Sequence, residues 1–332
     1  MRKQRSILII ADKEDVHAEA VAKKIDGRAP VLWFDGFEYR DQWELCHKIE
    51  TGRATQSLFH AGQHVDISDI GGVLYRGYQA SPLPIDFDEK ADAVDKSEHE
   101  DAFWGTVMQA ENATWINHPL AQKELLLKLN QLLYARKLGL EVPETIVTNS
   151  VKEAREFFNL HQSVIVKLLS HEFYGSKPED ELAVYTTLVD RNSFESQADA
   201  IALCPTMLQN KIEKKCDIRV NVIGDVIFAA ALYSQEHIDS VIDFRNIGNL
   251  NNLRSIRWEL PENIKTACCS MLSDHGLVFG AFDFALTPDD RYVFFEVNIT
   301  GNWLWLEHSL EFPISQVIAE YLLGIRACQH HK

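Results

Sequence analysis

"GAFDFALTPDDRYVFFEVN", residues 280–298, predicts a β-hairpin whose two strands are joined by the turn "TPDD". A four-residue loop pairs Leu286 with Arg291, and counting back along both strands places Asp283 opposite Phe294. Side chains two positions apart share one face of a strand, and directly paired residues share that face as well. The register of this hairpin therefore decides which of its side chains converge.

In this register, three oxygen-bearing side chains, Asp283, Glu296 and Asn298, lie on one face. The diagonal from Asp283 to Glu296 spans roughly 7 to 8 Å, a distance that one or two Mg²⁺ ions holding phosphate oxygens can bridge. Phe294 lies among these polar groups, whereas the opposite face is apolar and carries Phe282, Phe284, Phe295 and Val297. A solvated polar face on an edge hairpin is the simpler alternative, but burying two carboxylates without cations is costly.

The composition indicates a globular chain with more than one module. At 332 residues the chain is too long for one ordinary core. Its 33 Lys and Arg residues against 49 Asp and Glu leave a net charge of −16, which repels nucleic acid and anionic membranes. Small molecules or protein segments are the expected partners.

The start of the chain and its cysteines indicate a cytoplasmic protein. The opening "MRKQRSILIIADKEDVHAEAV" has a basic head, but charged residues interrupt its apolar run at once. It predicts a first strand, not a signal peptide or a membrane span. The six cysteines form no CxxC pair and no even framework, so a reducing cytoplasm is the expected location.

The chain divides into three predicted domains of an α/β protein. "SILIIAD", a helical pattern, "APVLWFD" and "IGGVLYRGY" open an α/β sheet that covers residues 1–118 and ends where Pro119 stops regular structure. An acidic stretch at residues 86–101 is predicted to lead into its last helix. Residues 119–210, with "VPETIVTN" and "SVIVKLL", form a central lobe, and residues 211–327, with "DIRVNVIGDVIFAAAL" and the last hairpin, form a C-terminal lobe.

Four cationic side chains are candidates for binding an anion. Lys167 interrupts the apolar strand "VIVKLL", where a buried ammonium needs an anion such as a nucleotide phosphate, unless it lies on an edge and reaches water. Lys128 lies in a Leu-rich helix, where a solvated lysine is the simpler interpretation. Arg219 in "DIRV" and Arg245 in "DFRN" can clamp a carboxylate or stabilise an acyl phosphate, or form ion pairs with neighbouring acidic residues.

The order of these features resembles the ATP-grasp superfamily, in which two lysines and a hinge hold ATP between two α+β lobes and a terminal D…ExN set holds magnesium. "KLNQLLYARKLGLEVPETIVTN" is similar to the entry segment of that fold, and "VIVKLL" supplies its second lysine. The resemblance implies that Lys128 and Lys167 hold the ATP phosphates. It also implies that Asp283, Glu296 and Asn298 hold Mg²⁺.

"LQNKIEK" resembles the adenine hinge of the superfamily. This likeness implies backbone and amide contacts to ATP from Gln209, Lys211 and Ile212, and a ribose contact from Glu213. The polar loop around residues 171–181 is the expected lid over the nucleotide.

A narrower resemblance spans almost the whole chain. "ILIIADKEDVHAEAV", "VLYRGY", "WINHP", "DIRVNVIGDVIFAAALYSQ", "DFRN" and "EVNITGNWLWLE" are together similar to the graspetide synthetases, the microviridin-type maturases of ribosomal peptides. The chain departs from the usual pattern at Ile299, Asn302, Gly77 and Phe244, where that family often has Pro, Gln, Arg and Trp. These departures bear on the substrate, because the metal set and both lysines are intact.

The narrower resemblance implies an ATP-dependent macrocyclase. Such enzymes activate Asp or Glu side chains of a ribosomal precursor peptide as acyl phosphates and join them to Thr or Ser hydroxyls as esters, or to Lys amines as amides. The resemblance further implies catalytic roles for Arg219, Arg245 and Lys167, a precursor with a leader and an acidic, Thr-rich core, and a homodimer. Two alternatives stay open: a carboxylate-amine ligase for amino acids or small peptides, and a peptide-binding module without catalysis.

Overall fold

The structure, a computed structural model, describes residues 5–36, 43–60, 63–77, 89–169, 173–174, 182–183, 186–248 and 250–326. Its strands are β1 Ser6–Ile10, β2 Val31–Phe34, β3 Trp43–Glu50, β4 Arg53–His60, β5 Gln63–Asp66, β6 Ile70–Tyr75, β7 Thr114–Ile116, β8 Thr145–Thr148, β9 Val164–Lys167, β10 Phe173–Tyr174, β11 Leu182–Ala183, β12 Thr187–Val189, β13 Thr206–Asn210, β14 Cys216–Ile223, β15 Val226–Leu232, β16 Ser255–Arg257, β17 Phe279–Leu286 and β18 Tyr292–Asn298.

The α-helices of the described residues are α1 Val16–Ile25, α2 Glu89–Val107, α3 Pro119–Gln122, α4 Lys128–Lys137, α5 Val151–Leu160, α6 Arg191–Ser196, α7 Ala198–Leu203, α8 Glu262–Ser273, α9 Leu304–Leu310 and α10 Ile314–Leu322. Short 3₁₀ turns occupy Ile67–Asp69, Ser234–Glu236, Ile238–Ser240, Phe244–Ile247 and Leu250–Asn252. None of the helices within the described ranges is both long enough and apolar enough to cross a bilayer.

The N-terminal sheet is parallel and has the strand order β2-β1-β6-β7. Its central strand β1 is apolar on both sides because both faces are covered. Ile7 and Ile9 join a core with α1 and α10, whereas Leu8 and Ile10 join a second core with residues of α2, β3 and β4. The predicted open α/β sheet is thus confirmed.

Three features of this region differ from the predictions. An antiparallel sheet of β3, β4 and β5, at residues 43–66, was not anticipated, because its strands are largely polar and only a few of its side chains reach the core. The acidic stretch does not precede a helix but lies largely within α2. Pro119 begins α3 instead of ending regular structure, since a proline in the first turn loses no helical hydrogen bond.

The central sheet has the order β12-β9-β13-β8 and packs its apolar face on α5, α6 and α7 through residues such as Phe157, Phe194 and Leu208. Lys167 is the last residue of β9 and is only partly buried. The predicted lid falls almost entirely outside the described residues, apart from the short pairing of β10.

The C-terminal sheet is antiparallel, with the order β16-β15-β14-β17-β18. The middle strand β14 is buried along its whole length, since it lies between two strands and under two layers. One of its faces packs against α8. From the other face, Ile223 joins Phe279 and Ala281 in the same core cluster as Ile7 and Ile9 of the N-terminal sheet. The domain boundaries at residues 118 and 210 stay predictions.

The turn of the last hairpin is one residue longer than predicted. Leu286 pairs with Tyr292 instead of Arg291. Arg291 belongs to the turn, where its backbone amide donates to the Thr287 hydroxyl and its carbonyl accepts from the Thr287 amide. Asp290 takes left-handed backbone there, with φ of 63°. A side-chain hydrogen bond within the turn therefore extends the loop to five residues.

A β-bulge at Phe295 then shifts the pairing by one more residue. Phe284 pairs with Phe294, and the next pair is Asp283 with Glu296. Beyond the bulge the two errors add up to two residues, and a shift of two preserves the faces of Glu296 and Asn298 relative to Asp283. The predicted convergence of the carboxylates therefore holds, but Asp283 and Glu296 are directly paired and not diagonal neighbours. Phe294 lies in the apolar core and Phe295 on the polar side, opposite to the prediction.

Candidate active site

The two carboxylates of the D…ExN set face each other across the β17–β18 pair. Asp283 lies on β17, inside the sheet, and Glu296 lies on the edge strand β18. Each side chain is 13% exposed. Directly paired residues in an antiparallel sheet have their Cβ atoms about 4.5 to 5.5 Å apart, so their charges are compatible only if cations compensate them.

Arg219 compensates Asp283 only in part. Its Nη1 donates to Asp283 Oδ2 at 2.8 Å, from the neighbouring strand β14. Asp283 Oδ1 is buried and has no hydrogen-bond partner. Burial raises the pKa of Asp283 to about 6, which Arg219 partly offsets and Glu296 reinforces. A carboxylate oxygen that is buried and unpartnered fits a site that receives a cation.

Glu296 is surrounded by cations. Lys128 Nζ lies 3.5 Å from its Oε2, and Arg245 Nη1 lies 4.0 Å from its Oε1. Burial alone raises the pKa of Glu296, but Lys167, Lys128 and Arg245 outweigh it and lower the pKa to about 2. Glu296 is therefore anionic at neutral pH, and cations from three separate parts of the chain converge on it.

Asn298 completes the predicted set at the exposed end of β18. Its Oδ1 accepts from the amide of Thr300 at 3.0 Å and from the Thr300 hydroxyl at 3.3 Å. Within the described ranges, no three His, Cys, Asp or Glu side chains are grouped for a metal. Two carboxylates and one amide oxygen fit Mg²⁺, which binds hard oxygen ligands and keeps room for phosphate oxygens. The set would hold Mg²⁺ through Asp283, Glu296 and Asn298.

A cavity of about 50 Å³ lies between the central and C-terminal sheets at this point. Ile165 and Lys167 line it from β9, and Asp283 and Glu296 line it from the last hairpin. The cavity therefore brings a lysine of the central sheet and the two carboxylates of the last hairpin to one place.

The predicted hinge residues separate into two groups. Lys211 and Ile212 line the cavity. Gln209 lies in the middle of the central sheet, is fully buried, and donates through Nε2 to the Thr145 hydroxyl at 2.9 Å. Glu213 is exposed and accepts from Lys211 Nζ at 2.7 Å. Neither Gln209 nor Glu213 lines this cavity, and their nucleotide contacts stay predictions.

Arg245 is held by Asp243, a residue that the sequence did not single out. The Nε of Arg245 donates to Asp243 Oδ1 at 2.8 Å and its Nη2 donates to Oδ2 at 2.6 Å, a two-pronged pair. Burial raises the pKa of Asp243, but the Arg245 hydrogen bonds and charge lower it to about 2. The sequence contained a signal, because both site arginines stand in an Asp-x-Arg pattern, "DIR" and "DFR".

Lys214 and Phe295 were also missed, although both line the cavity. Lys214 Nζ donates to both oxygens of Asp217, at 2.7 and 2.9 Å. The Nζ atoms of Lys167 and Lys214 lie 5.2 and 5.9 Å from the centre of the Phe295 ring. Only the bulge brings this ring to the polar side, so no regular strand pattern predicts it.

Comparison with known proteins supports an ATP-dependent enzyme. No family model and no curated protein sequence matches the chain. Its structure is similar to that of a Chryseobacterium gregarium RiPP-associated ATP-grasp ligase in complex with ADP and a leader and core peptide, with a TM-score of 0.88 and 29% identity over 98% of each chain. The chain has the ATP-grasp fold and is an ATP-dependent ligase.

Two further solved structures resemble this ligase. The macrocyclase MdnC from Microcystis aeruginosa MRC, bound with the precursor peptide MdnA, has a TM-score of 0.82 and 25% identity over 96% of the ligase and 99% of MdnC. The macrocyclase MdnB from the same organism has a TM-score of 0.78 and 28% identity over 96% of the ligase and 99% of MdnB. The resemblance to the graspetide synthetases and the ATP-grasp fold are confirmed.

Proposed function

We propose that the ligase uses ATP and Mg²⁺ to activate Asp or Glu side chains of a ribosomally made precursor peptide as acyl phosphates. It then joins them to Thr or Ser hydroxyls as esters, or to Lys amines as amides. One observation carries the proposal. A pair of facing carboxylates, one with an unpartnered oxygen, meets cations from three parts of the chain at the cavity between the central and C-terminal sheets.

The chemistry needs positioning and charge neutralisation more than a covalent intermediate on the enzyme. A substrate carboxylate oxygen attacks the γ-phosphorus of ATP and ADP leaves. A hydroxyl or amine then attacks the acyl carbon and gives up its proton, and the bond to phosphate breaks so that hydrogen phosphate leaves. Bound Mg²⁺ would neutralise negative charge on the phosphate oxygens. Lys128 and Lys167 would hold the phosphates from either side of Glu296. Arg219 and Arg245 would face the developing acyl phosphate, and their carboxylate partners fix their direction.

The peptide substrate is supported by the similar proteins. The Chryseobacterium gregarium ligase was solved with a leader and core peptide, and MdnC with its precursor. We infer a precursor with a leader and an acidic, Thr-rich core for this ligase too. A homodimer and a cytoplasmic location, with no nucleic-acid or membrane partner, complete the proposal. Light scattering on the purified ligase would test the dimer.

The test is the intact mass of a candidate precursor after incubation with the ligase, ATP and Mg²⁺. The candidate is a short reading frame next to the gene that repeats Thr with Glu or Asp. We expect successive losses of the mass of one water, one for each ring. Mild base should reverse these losses if the rings are esters and leave them unchanged if they are amides.

The precursor without its leader and the reaction without ATP are the controls. No mass change, with ADP released only when free amino acids are added, would replace the proposal with a small-molecule carboxylate-amine ligase. No ADP release with any substrate, together with precursor binding, would indicate a peptide-binding module.

A further inference from the structure

A buried arginine of the N-terminal sheet contacts the loop that follows the metal-binding strand. Arg76, just after β6, has a side chain that is 8% exposed. Its Nη1 donates to the carbonyl of Thr300 at 2.5 Å and lies 3.4 Å from the carbonyl of Gly301. Its Nη2 donates to Asn302 Oδ1 at 3.0 Å, and its guanidinium lies 5.0 Å from the centre of the Trp303 ring. One side chain thus contacts four consecutive residues.

The other end of this guanidinium is fixed by Asp15. Arg76 Nε donates to Asp15 Oδ2 at 3.0 Å. Asp15 Oδ1 accepts from the amides of His17 and Ala18, at 2.8 Å each, and so caps α1. Both oxygens of Asp15 are used, which leaves the guanidinium little freedom to turn. Arg76 is therefore a rigid connection between the N-terminal sheet and residues 300–303.

Residues 299–303, called the brace loop here, bind two groups of the proposed site. At one end, Asn298 Oδ1 accepts from the Thr300 amide at 3.0 Å. At the other end, the carbonyl of Asn302 accepts from Arg219 Nη2 at 3.3 Å. Gly301 is packed so closely that an added Cβ would lie 2.9 Å from Arg219 Nη2. A shift of the brace loop therefore moves both the Asn298 amide and the Arg219 guanidinium.

We propose that Arg76 is a positioning residue that holds the brace loop so that Asn298 and Arg219 face magnesium and the reacting carboxylate. The inference rests on the proposed function for the assignment of Asp283, Glu296 and Asn298 to Mg²⁺ and for the substrate carboxylate that Arg219 faces. Lysine cannot replace Arg76, because one ammonium cannot reach Asp15, two carbonyls and the Asn302 amide at fixed angles. A displacement of about 1 Å in a catalytic group can cost about 100-fold in rate.

The experiment measures ADP affinity by calorimetry with and without Mg²⁺, so that it does not depend on a peptide. For Arg76→Lys we expect the gain in ADP affinity on adding Mg²⁺ to fall roughly tenfold, as for the loss of one or two hydrogen bonds. ADP affinity without Mg²⁺ should stay unchanged. In an Asn298→Ala background, Arg76→Lys should cause no further loss of the Mg²⁺ effect, since both changes act through the side-chain amide of Asn298.

Arg257→Lys is the matched control. Arg257 also donates to two backbone carbonyls, those of Leu310 and Glu311 at the end of α9. Its guanidinium lies 5.2 Å from the centre of the Phe312 ring. It does not line the cavity, so its substitution should leave the Mg²⁺ effect unchanged. If Arg76→Lys does not fold, Asn302→Ala removes one contact at an exposed residue, and we expect a smaller loss in the same direction.

Three results would overturn the inference. Arg76→Lys could weaken ADP binding equally with and without Mg²⁺. Alternatively, the loss of the Mg²⁺ effect in Arg76→Lys could add to the loss in Asn298→Ala. A general loosening of the fold predicts either result. The wild-type ligase could gain no ADP affinity from Mg²⁺, which overturns the magnesium assignment as well. Absence of ring formation together with a normal Mg²⁺ effect would overturn only the proposed substrate and would leave the role of Arg76 supported.

Discussion

At the residue scale, the pKa values of the two facing carboxylates are shifted in opposite directions. The pKa of Asp283 is raised to about 6, because its burial is only partly offset by Arg219 and Arg245, and Glu296 lies opposite. The pKa of Glu296 is lowered to about 2, because two lysines and an arginine outweigh its burial. Two acids of similar intrinsic pKa are thus separated by their surroundings alone. Asp283 keeps its unpartnered oxygen, which an added cation would satisfy.

Asp283→Asn is expected to lower ATP turnover by at least about 100-fold, as for the loss of one preorganised charge at a reacting phosphate. Its effect on stability should differ. Because folding raises the pKa of Asp283, the charged form opposes folding at pH values above about 6. The neutral amide should therefore leave the melting temperature at pH 8 unchanged or higher. ADP release and thermal unfolding measure the two effects.

Asp289→Asn is the matched control for this prediction. Asp289 lies in the turn of the same hairpin and accepts from Arg291 and Thr287, outside the cavity lining. Its substitution should leave ATP turnover within about twofold, as for a surface change. Full turnover in Asp283→Asn would remove Asp283 from the metal set.

At the element scale, the edge strand β18 is protected by a helix. Gln131 of α4 is 5% exposed, and its side-chain amide acts like a neighbouring strand. Its Oε1 accepts from the Val297 amide at 2.9 Å, and its Nε2 donates to the Val297 carbonyl at 3.0 Å. The backbone carbonyl of Glu141 covers the same edge by accepting from the Phe294 amide at 2.8 Å. An edge that is paired in this way holds its side chains in fixed positions.

Gln131→Leu is expected to lower the free energy of unfolding by about 2 to 5 kcal/mol, because it leaves the amide and the carbonyl of Val297 buried without partners. Val297 stands between Glu296 and Asn298, so ATP turnover should fall as well. Urea unfolding gives the first quantity. Asn130→Leu, at the preceding position of α4, is the control and should change the free energy of unfolding by no more than about 0.5 kcal/mol. Equal effects of the two substitutions would contradict this role of Gln131.

At the scale of the whole molecule, the N-terminal and C-terminal sheets share a core, and His17 lies where they meet. Its ring packs edge-on against Trp303 at 4.6 Å, and its Nδ1 accepts from the Trp303 amide at 3.4 Å. Burial and the neighbouring Arg76 lower the pKa of His17 to about 4. The buried imidazole is therefore neutral at pH 7, and it links the two sheets beside the brace loop.

The pKa of His17 predicts how stability depends on pH. Its folded pKa, about 4, lies below the ordinary histidine value of 6.5, so the unfolded chain binds the proton more tightly between these pH values. The neutral imidazole makes its full contribution to the free energy of unfolding above pH 6.5, and this contribution decreases as the pH falls toward 4. The full loss is about 3 kcal/mol for a shift of this size.

Urea unfolding of the wild-type ligase and of His17→Asn at pH 7.5 and pH 4.5 checks this expectation. The variant should be the less stable protein at pH 7.5, since it loses the contact with Trp303. The difference should shrink at pH 4.5, because only the wild type has an imidazole to protonate at position 17. His237→Asn, at an exposed position, is the control. A difference between wild type and His17→Asn that does not change with pH would be incompatible with a buried neutral ring.

Much of the fold and part of the site could be predicted from local patterns. Strand β1, helix α1 and the hairpin of β14 and β15 follow from apolar runs, helical periodicity and a glycine turn. The convergence of Asp283, Glu296 and Asn298 follows from the two-residue period of a strand, and the correct face was retained even though the turn and the bulge each shift the register by one residue. The sheet of β3, β4 and β5 has too weak a periodicity to be predicted.

The sequence by itself determined the order of the elements, the oxygen-bearing side chains that share one face of the last hairpin, and the lysines that interrupt apolar or helical segments. Only the tertiary structure decided that Arg219 pairs with Asp283, that Asp243 holds Arg245 and that Arg76 reaches the brace loop. The physical reason is that periodicity fixes the face on which a side chain lies, whereas its partner depends on which elements pack together. Burial then sets the pKa of each carboxylate, and burial is a property of the whole fold.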